Sequence, residues 1–162
     1  MTREEMLKIM IDITNKKEYQ PGYPNAHGRP STHCNEGSIE IVETLGFDSK
    51  PFLNPKGIGW TNANDIYRNG WKAVIDGELE MLTDWREAQL FANNIECVLV
   101  LAFSTVGGSG HVAVAAPWSI PHKIPGSLII VQAGQVNGRF ELNEIFNVSN
   151  LTAPMFIRCK KK

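Results

Sequence analysis

The chain has 162 residues, 16 basic against 17 acidic side chains and a formal net charge of −1. That length fits one domain with a sizeable core, residues 1–162, and the balance leaves no broad basic field for nucleic acid. Hydrophobic residues at 43% and charged residues at 20% are ordinary for a globular protein, and no run approaches the roughly 18 apolar residues of a membrane span.

The first segment, "MTREEMLKIMIDIT", carries early acids and lacks a signal-peptide layout, so synthesis in the cytoplasm is expected. It reads as a helix, with Thr2 and Glu5 as a capping box and Met6, Ile9, Met10 and Ile13 on one face. Residues 19–31, "YQPGYPNAHGRPS", are turn-rich and read as a surface loop. A second helix is expected over about 32–45, capped by Ser31 or Thr32, with Ser38, Ile41, Val42 and Leu45 inward and Gly46 as its stop. "DSKPFLNPKGIGW" returns to loop. A third helix restarts at Thr61 with Ala63, Ile66, Tyr67, Trp71 and Val74 as its apolar side. A fourth follows in "TDWREAQLFANN", where Asp84 and Glu87 form a second capping box.

After residue 96 the period changes from helical to alternating. Residues 97–104, 111–116, 127–133 and 154–160 are short, β-branched or aromatic, and bounded by Gly, Pro or Asn. Helices followed by an antiparallel sheet give an α+β fold in one domain. Of the tryptophans, Trp60, Trp71, Trp85 and Trp118 read as core or groove-wall aromatics.

Three cysteines exclude a complete disulfide framework, and no CxxC or zinc-type spacing occurs; neither a metal nor a cofactor is called for. A single cysteine is most often a small buried hydrophobe, and Cys97, inside an apolar strand, and Cys159, beside the basic end "RCKKK", fit that description. Cys34 differs. In "STHCNEG" it falls in the first turn of a helix, where the dipole and free N–H groups favour a thiolate and can hold an oxyanion. His111, in "GGSGHVAVAAP", opens a strand and can be aimed at that sulfur as base and then acid. A third group should orient the imidazole from its other nitrogen; Gln132, which ends the apolar run "LIIVQAG", is the first candidate and Asn137 in "QVNGR" the alternative. His33 adjoins Cys34 but points elsewhere on a helix, and His27 and His122 lie in loops with no evident role.

"THCNEGSIEIVETLGF" followed by "SGHVAVAAP" resembles the NlpC-type and CHAP-type papain-like hydrolases of bacterial cell walls, and "DWREAQLFANNIECVLVLAFS" is similar to their lead-in to the sheet. The resemblance covers roughly residues 30–135, with Cys before His as in those families. It implies a papain-like fold with N-terminal helices packed on a small antiparallel sheet. It also implies a cysteine endopeptidase or N-acetylmuramoyl-L-alanine amidase acting on peptidoglycan stem peptides. Cys34 would be the nucleophile, His111 the base and Gln132 the polar third residue, with Tyr19, Gln20 and Tyr23 of the upstream loop as substrate or oxyanion candidates. The chain departs from the pattern in Asn35 after the cysteine, in a glutamine as third residue, and in lacking an acidic cluster like the calcium site of some CHAP domains. The expected partner is peptidoglycan, with no nucleic acid and no membrane insertion, reached after lysis or by dedicated export. Two rivals follow: a non-catalytic binding domain of the same fold, or a hydrolase of another amide or isopeptide bond.

Overall fold

The computed structural model describes residues 1–25, 28–29, 31–56, 60–108, 110–118, 126–147 and 149–162. His27 and His122 lie outside the described residues. Helix α1 (Arg3–Thr14) starts at the Thr2–Glu5 capping box and buries Met6, Met10 and Ile13, with Ile9 half-buried at its flank. Helix α2 (Cys34–Thr44) begins two residues later than its sequence suggests. Its N-cap is His33, which makes no side-chain cap bond, so Cys34 is the first helical residue and neither Ser31 nor Thr32 caps it. Gly46 stops the helix as expected. Its φ of +83° lets its N–H reach Glu43 O at 3.0 Å while Phe47 N–H reaches Val42 O at 3.0 Å, a Schellman closure.

Helix α3 (Ala63–Ile75) is capped by Asn62, whose side chain pairs reciprocally with Asp65. Its buried stripe is Ala63, Ile66, Gly70 and Ala73, and Trp71 is 44% exposed, against the sequence expectation. The reason lies in how closely this helix approaches the sheet. A Cβ on Gly70 would come within 2.9 Å of Ile157 Cδ1 and 3.2 Å of Leu101 Cδ1, so the helix sets Gly70 itself against the sheet and the next side chain, the Trp71 indole, turns outward. Helix α4 (Trp85–Asn93) is capped by Asp84, which accepts from the N–H groups of Arg86 and Glu87. Glu87 reaches back to Thr83 N–H rather than to the cap residue, so the expected capping box is not closed.

Among the described residues the sheet has six strands: β1 (Glu80–Met81), β2 (Val98–Ala102), β3 (His111–Ala115), β4 (Ile129–Ala133), β5 (Asn137–Glu141) and β6 (Met155–Arg158). Their order is β1-β6-β2-β3-β4-β5 and every pairing is antiparallel, which makes the chain α+β. The two outer strands and the short helix α5 (Leu142–Ile145) have no counterpart in the sequence reading. β1 is two exposed residues, and β5 reads "NGRFE" with no buried position, so neither carries the apolar alternation that marks an inner strand.

Alternation along the inner strands sorts the core into two layers. Leu99, Leu101, Val112, Val114, Ile129, Val131 and Ile157 pack with α1, α2 and α3. Val98, Val100, Ala113, Ala115, Ile130 and Phe156 pack with Ala88 and Ala92 of α4 and with Leu142 and Phe146 at α5. Helices therefore cover both faces of the sheet rather than one. No helix among the described residues is long and apolar enough to cross a membrane.

Candidate active site

Why does a glycine precede His111? Gly110 passes so close to β2 that an added Cβ would lie 2.3 Å from Ala102 O and 2.5 Å from Asn64 Oδ1. Asn64, on α3, donates from Nδ2 to Gly108 O at 3.0 Å and accepts at Oδ1 from Ser104 N–H at 3.1 Å. Ser104 Oγ in turn donates to Gly107 O at 2.8 Å. These bonds tie Ser104, Gly107 and Gly108 to one another and to α3, and with the tight fit of Gly110 against β2 they fix where His111 begins β3. Asn64 escaped the sequence reading because its partners lie 40 or more residues away and no local pattern marks it. Gly110→Ala is expected to cost about 3 kcal/mol or more, since the clash is with backbone that has little room to give. A denaturant midpoint within error of wild type would refute that packing account.

Cys34 opens α2 on one side of the sheet, while His111, in phase with Ala113 and Ala115, belongs to the other side. They meet because β3 and β4 part at this end. The ladder between them consists of Val114↔Val131 and Ala115↔Ile130 and stops short of Val112. There the N–H of Val112, that of Asn35 and the His111 ring all hydrogen-bond the Cys34 sulfur. Phe146 backs the imidazole with ring centroids 5.0 Å apart.

The electrostatics of the pair run one way. Burial pushes the Cys34 thiol up, but the charge of His111, its hydrogen bond and the two backbone donors outweigh burial and leave the thiol below its ordinary value. Burial likewise pulls His111 down, yet the sulfur's charge, its hydrogen bond and Gln132 hold the ring above its ordinary value. Both directions favour a thiolate paired with an imidazolium.

Gln132 is 2% exposed, and its Oε1 accepts a hydrogen bond from His111 Nε2. Gln132 Nε2 donates to Val136 O at 2.9 Å, which fixes the amide with its oxygen toward the ring. With Nε2 held in this way, Nδ1 is left for the sulfur. The register explains the choice of residue: Val114↔Val131 sets Gln132 opposite Ala113, diagonal to His111 on the same face. Asn137 takes a different place. It opens β5, and its Nδ2 donates to Thr14 O at 2.8 Å and Tyr19 O at 2.9 Å, so it ties the end of α1 to the sheet edge.

A cleft of about 230 Å³ opens at Cys34, walled by Ser31, Thr32, Asn35, Trp60, Asn62 and Gly108. Apart from Cys34 itself, its lining among the described residues consists of uncharged groups. A second hollow of about 180 Å³ shares Asn35 and Trp60 with it and continues to Ile39 and Leu53. Of the four tryptophans Trp60 is thus a cleft wall, while Trp85 and Trp118 are half-buried against the two core layers. A larger cleft of about 480 Å³ lies around Arg158, which pairs with Glu80 at 3.2 Å and Glu96 at 3.8 Å; it contains none of the candidate site residues.

The upstream-loop candidates do not line the Cys34 cleft. The Tyr19 hydroxyl donates to Glu40, and burial with that bond pushes its pKa up. Gln20 Nε2 donates to Lys16 O at 3.3 Å and Thr14 O at 3.5 Å. Tyr23 is exposed, and its carbonyl accepts from His33 Nε2 at 2.9 Å. His33 also bonds Glu36 of α2 through Nδ1 and is 1% exposed, so its ring bridges the 20s loop and the first turn of α2. The other two thiols face each other: Cys159 N–H donates to Cys97 O at 2.9 Å, and the Cys159 hydrogen bond together with burial pushes the Cys97 thiol well up. Cys97 is therefore a poor nucleophile beside Cys34.

Compared with known families and with curated proteins, the chain matches no family model and no curated sequence.

Proposed function

We propose that this protein is a cysteine hydrolase that cleaves an amide bond of peptidoglycan stem peptides, in the manner of the NlpC-type and CHAP-type papain-like enzymes it resembles, as endopeptidase or amidase. The observation that carries this reading is the contiguous series of Cys34 sulfur, His111 ring and Gln132 amide beside a cleft walled by neutral hydrogen-bonding groups. A neutral, amide-lined wall suits a peptide-like substrate better than a phosphate or a strongly charged ligand.

In the reaction the Cys34 thiolate attacks the amide carbon. His111 holds the proton before substrate arrives and delivers it to the leaving amine from Nδ1. Water, deprotonated by the neutral ring, then releases the acyl group. Gln132 keeps the ring in the plane this transfer needs and, being neutral, leaves the charge of the imidazolium to be balanced by the sulfur alone.

Gln132→Ala is expected to lower turnover roughly ten- to a thousandfold, less than loss of His111 itself. Gln132→Glu adds an anion that favours the protonated ring, so the imidazolium survives to higher pH and the alkaline limb of the pH–rate profile moves up. Asn137→Ala should leave that limb in place and cost stability instead. An alkaline limb unmoved in Gln132→Glu would remove Gln132 from the proposed role.

The reading is tested by digesting purified sacculi and identifying the released fragments by mass. Stem-peptide fragments released by wild type and absent with Cys34→Ala support it. No release by a protein whose Cys34 alkylates rapidly would move the substrate to another amide or isopeptide bond. The burial of Cys34, 4% exposed, is the feature that suits the rival of a non-catalytic binding domain. Iodoacetamide separates the two, because the activated thiolate should react fast near neutral pH and an inert buried thiol should not.

A further inference from the structure

Asn62 belongs to two structures at once: it caps α3 and it walls the cleft at Cys34. Its Oδ1 accepts from Asp65 N–H at 2.9 Å, and the Asp65 carboxylate accepts from Asn62 N–H at 3.1 Å. This reciprocal bond settles which end of the amide faces the helix, so Nδ2 is turned away from it. Nδ2 has no hydrogen-bond partner among the described residues. The other amide in the cleft is differently placed, since Asn35 Nδ2 is engaged by Thr61 O at 2.9 Å. Tyr19 and Gln20 have their donors committed elsewhere.

We propose that Asn62 Nδ2, together with the Cys34 N–H, forms the oxyanion hole of this site. The assignment rests on the reading of Cys34 as nucleophile. When the thiolate attacks, the C–S bond forms and the carbonyl π pair moves onto oxygen as an alkoxide. The Cys34 N–H, first in its helix and outside the i→i−4 ladder, meets that oxygen from one side, and the preorganised amide of Asn62 meets it from the other. Collapse restores the carbonyl, breaks the C–N bond and sends the electron pair to the amine, which takes the His111 proton. Asn62 is thereby a catalytic residue, donating a hydrogen bond that strengthens as the negative charge develops. Its position far from Cys34 in sequence follows from α3 packing beside α2.

The test uses two reagents that share the thiolate but differ in mechanism. p-Nitrophenyl acetate acylates Cys34 through a tetrahedral oxyanion and releases p-nitrophenolate; iodoacetamide alkylates it by direct displacement with no oxyanion. Asn62→Ser and Asn62→Thr both keep a good N-cap and remove the amide donor, so folding is preserved, as thermal midpoints check. The expected result is a loss of about 10²–10³-fold in the acylation rate with the alkylation rate unchanged. Unchanged acylation in both variants overturns the proposal. Equal loss with both reagents also overturns it, because Asn62 would then act on the thiolate. A wild-type Cys34 inert to iodoacetamide would instead bring down the nucleophile reading beneath it, which keeps the two failures distinct.

Discussion

Cys34→Ala is expected to abolish hydrolysis while the fold stays intact. The sulfur is the attacking atom, and no other thiol can replace it: Cys97 and Cys159 are buried together, and the Cys97 thiol is pushed well up. Loss of a covalent nucleophile removes essentially the whole rate enhancement of a thiol hydrolase. The same variant has a second readout. Because the charge of the sulfur is the main influence holding His111 above its ordinary pKa against burial, its removal should let that pKa fall. Titration of the His111 ring by NMR in wild type and Cys34→Ala measures this directly. A ring that titrates identically in both would mean that the pair carries no mutual charge, and residual activity near wild type would end the covalent mechanism.

His111→Ala should lower turnover by roughly 10³–10⁴-fold, because two contributions disappear together. The leaving amine loses its proton donor. The thiol also loses the charge and hydrogen bond that offset its burial, so burial raises its pKa and the thiolate becomes scarce near neutral pH. Iodoacetamide reports on the second contribution alone. Its rate at neutral pH should fall more than about tenfold in His111→Ala and recover as pH is raised past the new thiol pKa. The sign follows from the direction of the shift: a depressed thiol pKa keeps wild-type reactivity down to lower pH, and releasing it moves the acid limb of alkylation upward. His33→Ala provides the contrast. That ring bonds Glu36 and Tyr23 O and is not among the residues lining the Cys34 cleft, so its loss should loosen the 20s loop and leave the acid limb of alkylation near that of wild type. An equal upward shift in His33→Ala would reassign the control of the thiol.

What this sequence determined by itself is what short-range physics can encode. The Thr2–Glu5 capping box and the Gly46 stop each depend on groups within a few residues, and both form as written. The apolar runs of β2, β3, β4 and β6 declare strands because burial on both faces fills their middles with apolar side chains, the polar His111, Gln132 and Arg158 lying at or next to strand ends. Cys34 at the start of a helix and His111 at the start of a strand are legible for the same reason. Tertiary structure alone decided what stands around them. Whether Gln132 or Asn137 reaches the imidazole depends on the β3–β4 register and on the amide of Asn137 being drawn to Thr14 and Tyr19, more than a hundred residues earlier. The edge strands β1 and β5 carry no alternation because an edge needs backbone partners, not a buried face. Trp71 is turned outward by the closeness of Gly70 to Ile157 and Leu101, a distance no local pattern contains. The cleft itself joins the start of α2 to the cap of α3 and to Gly108, because the packing of helices on a sheet brings together side chains whose separation along the chain carries no signal.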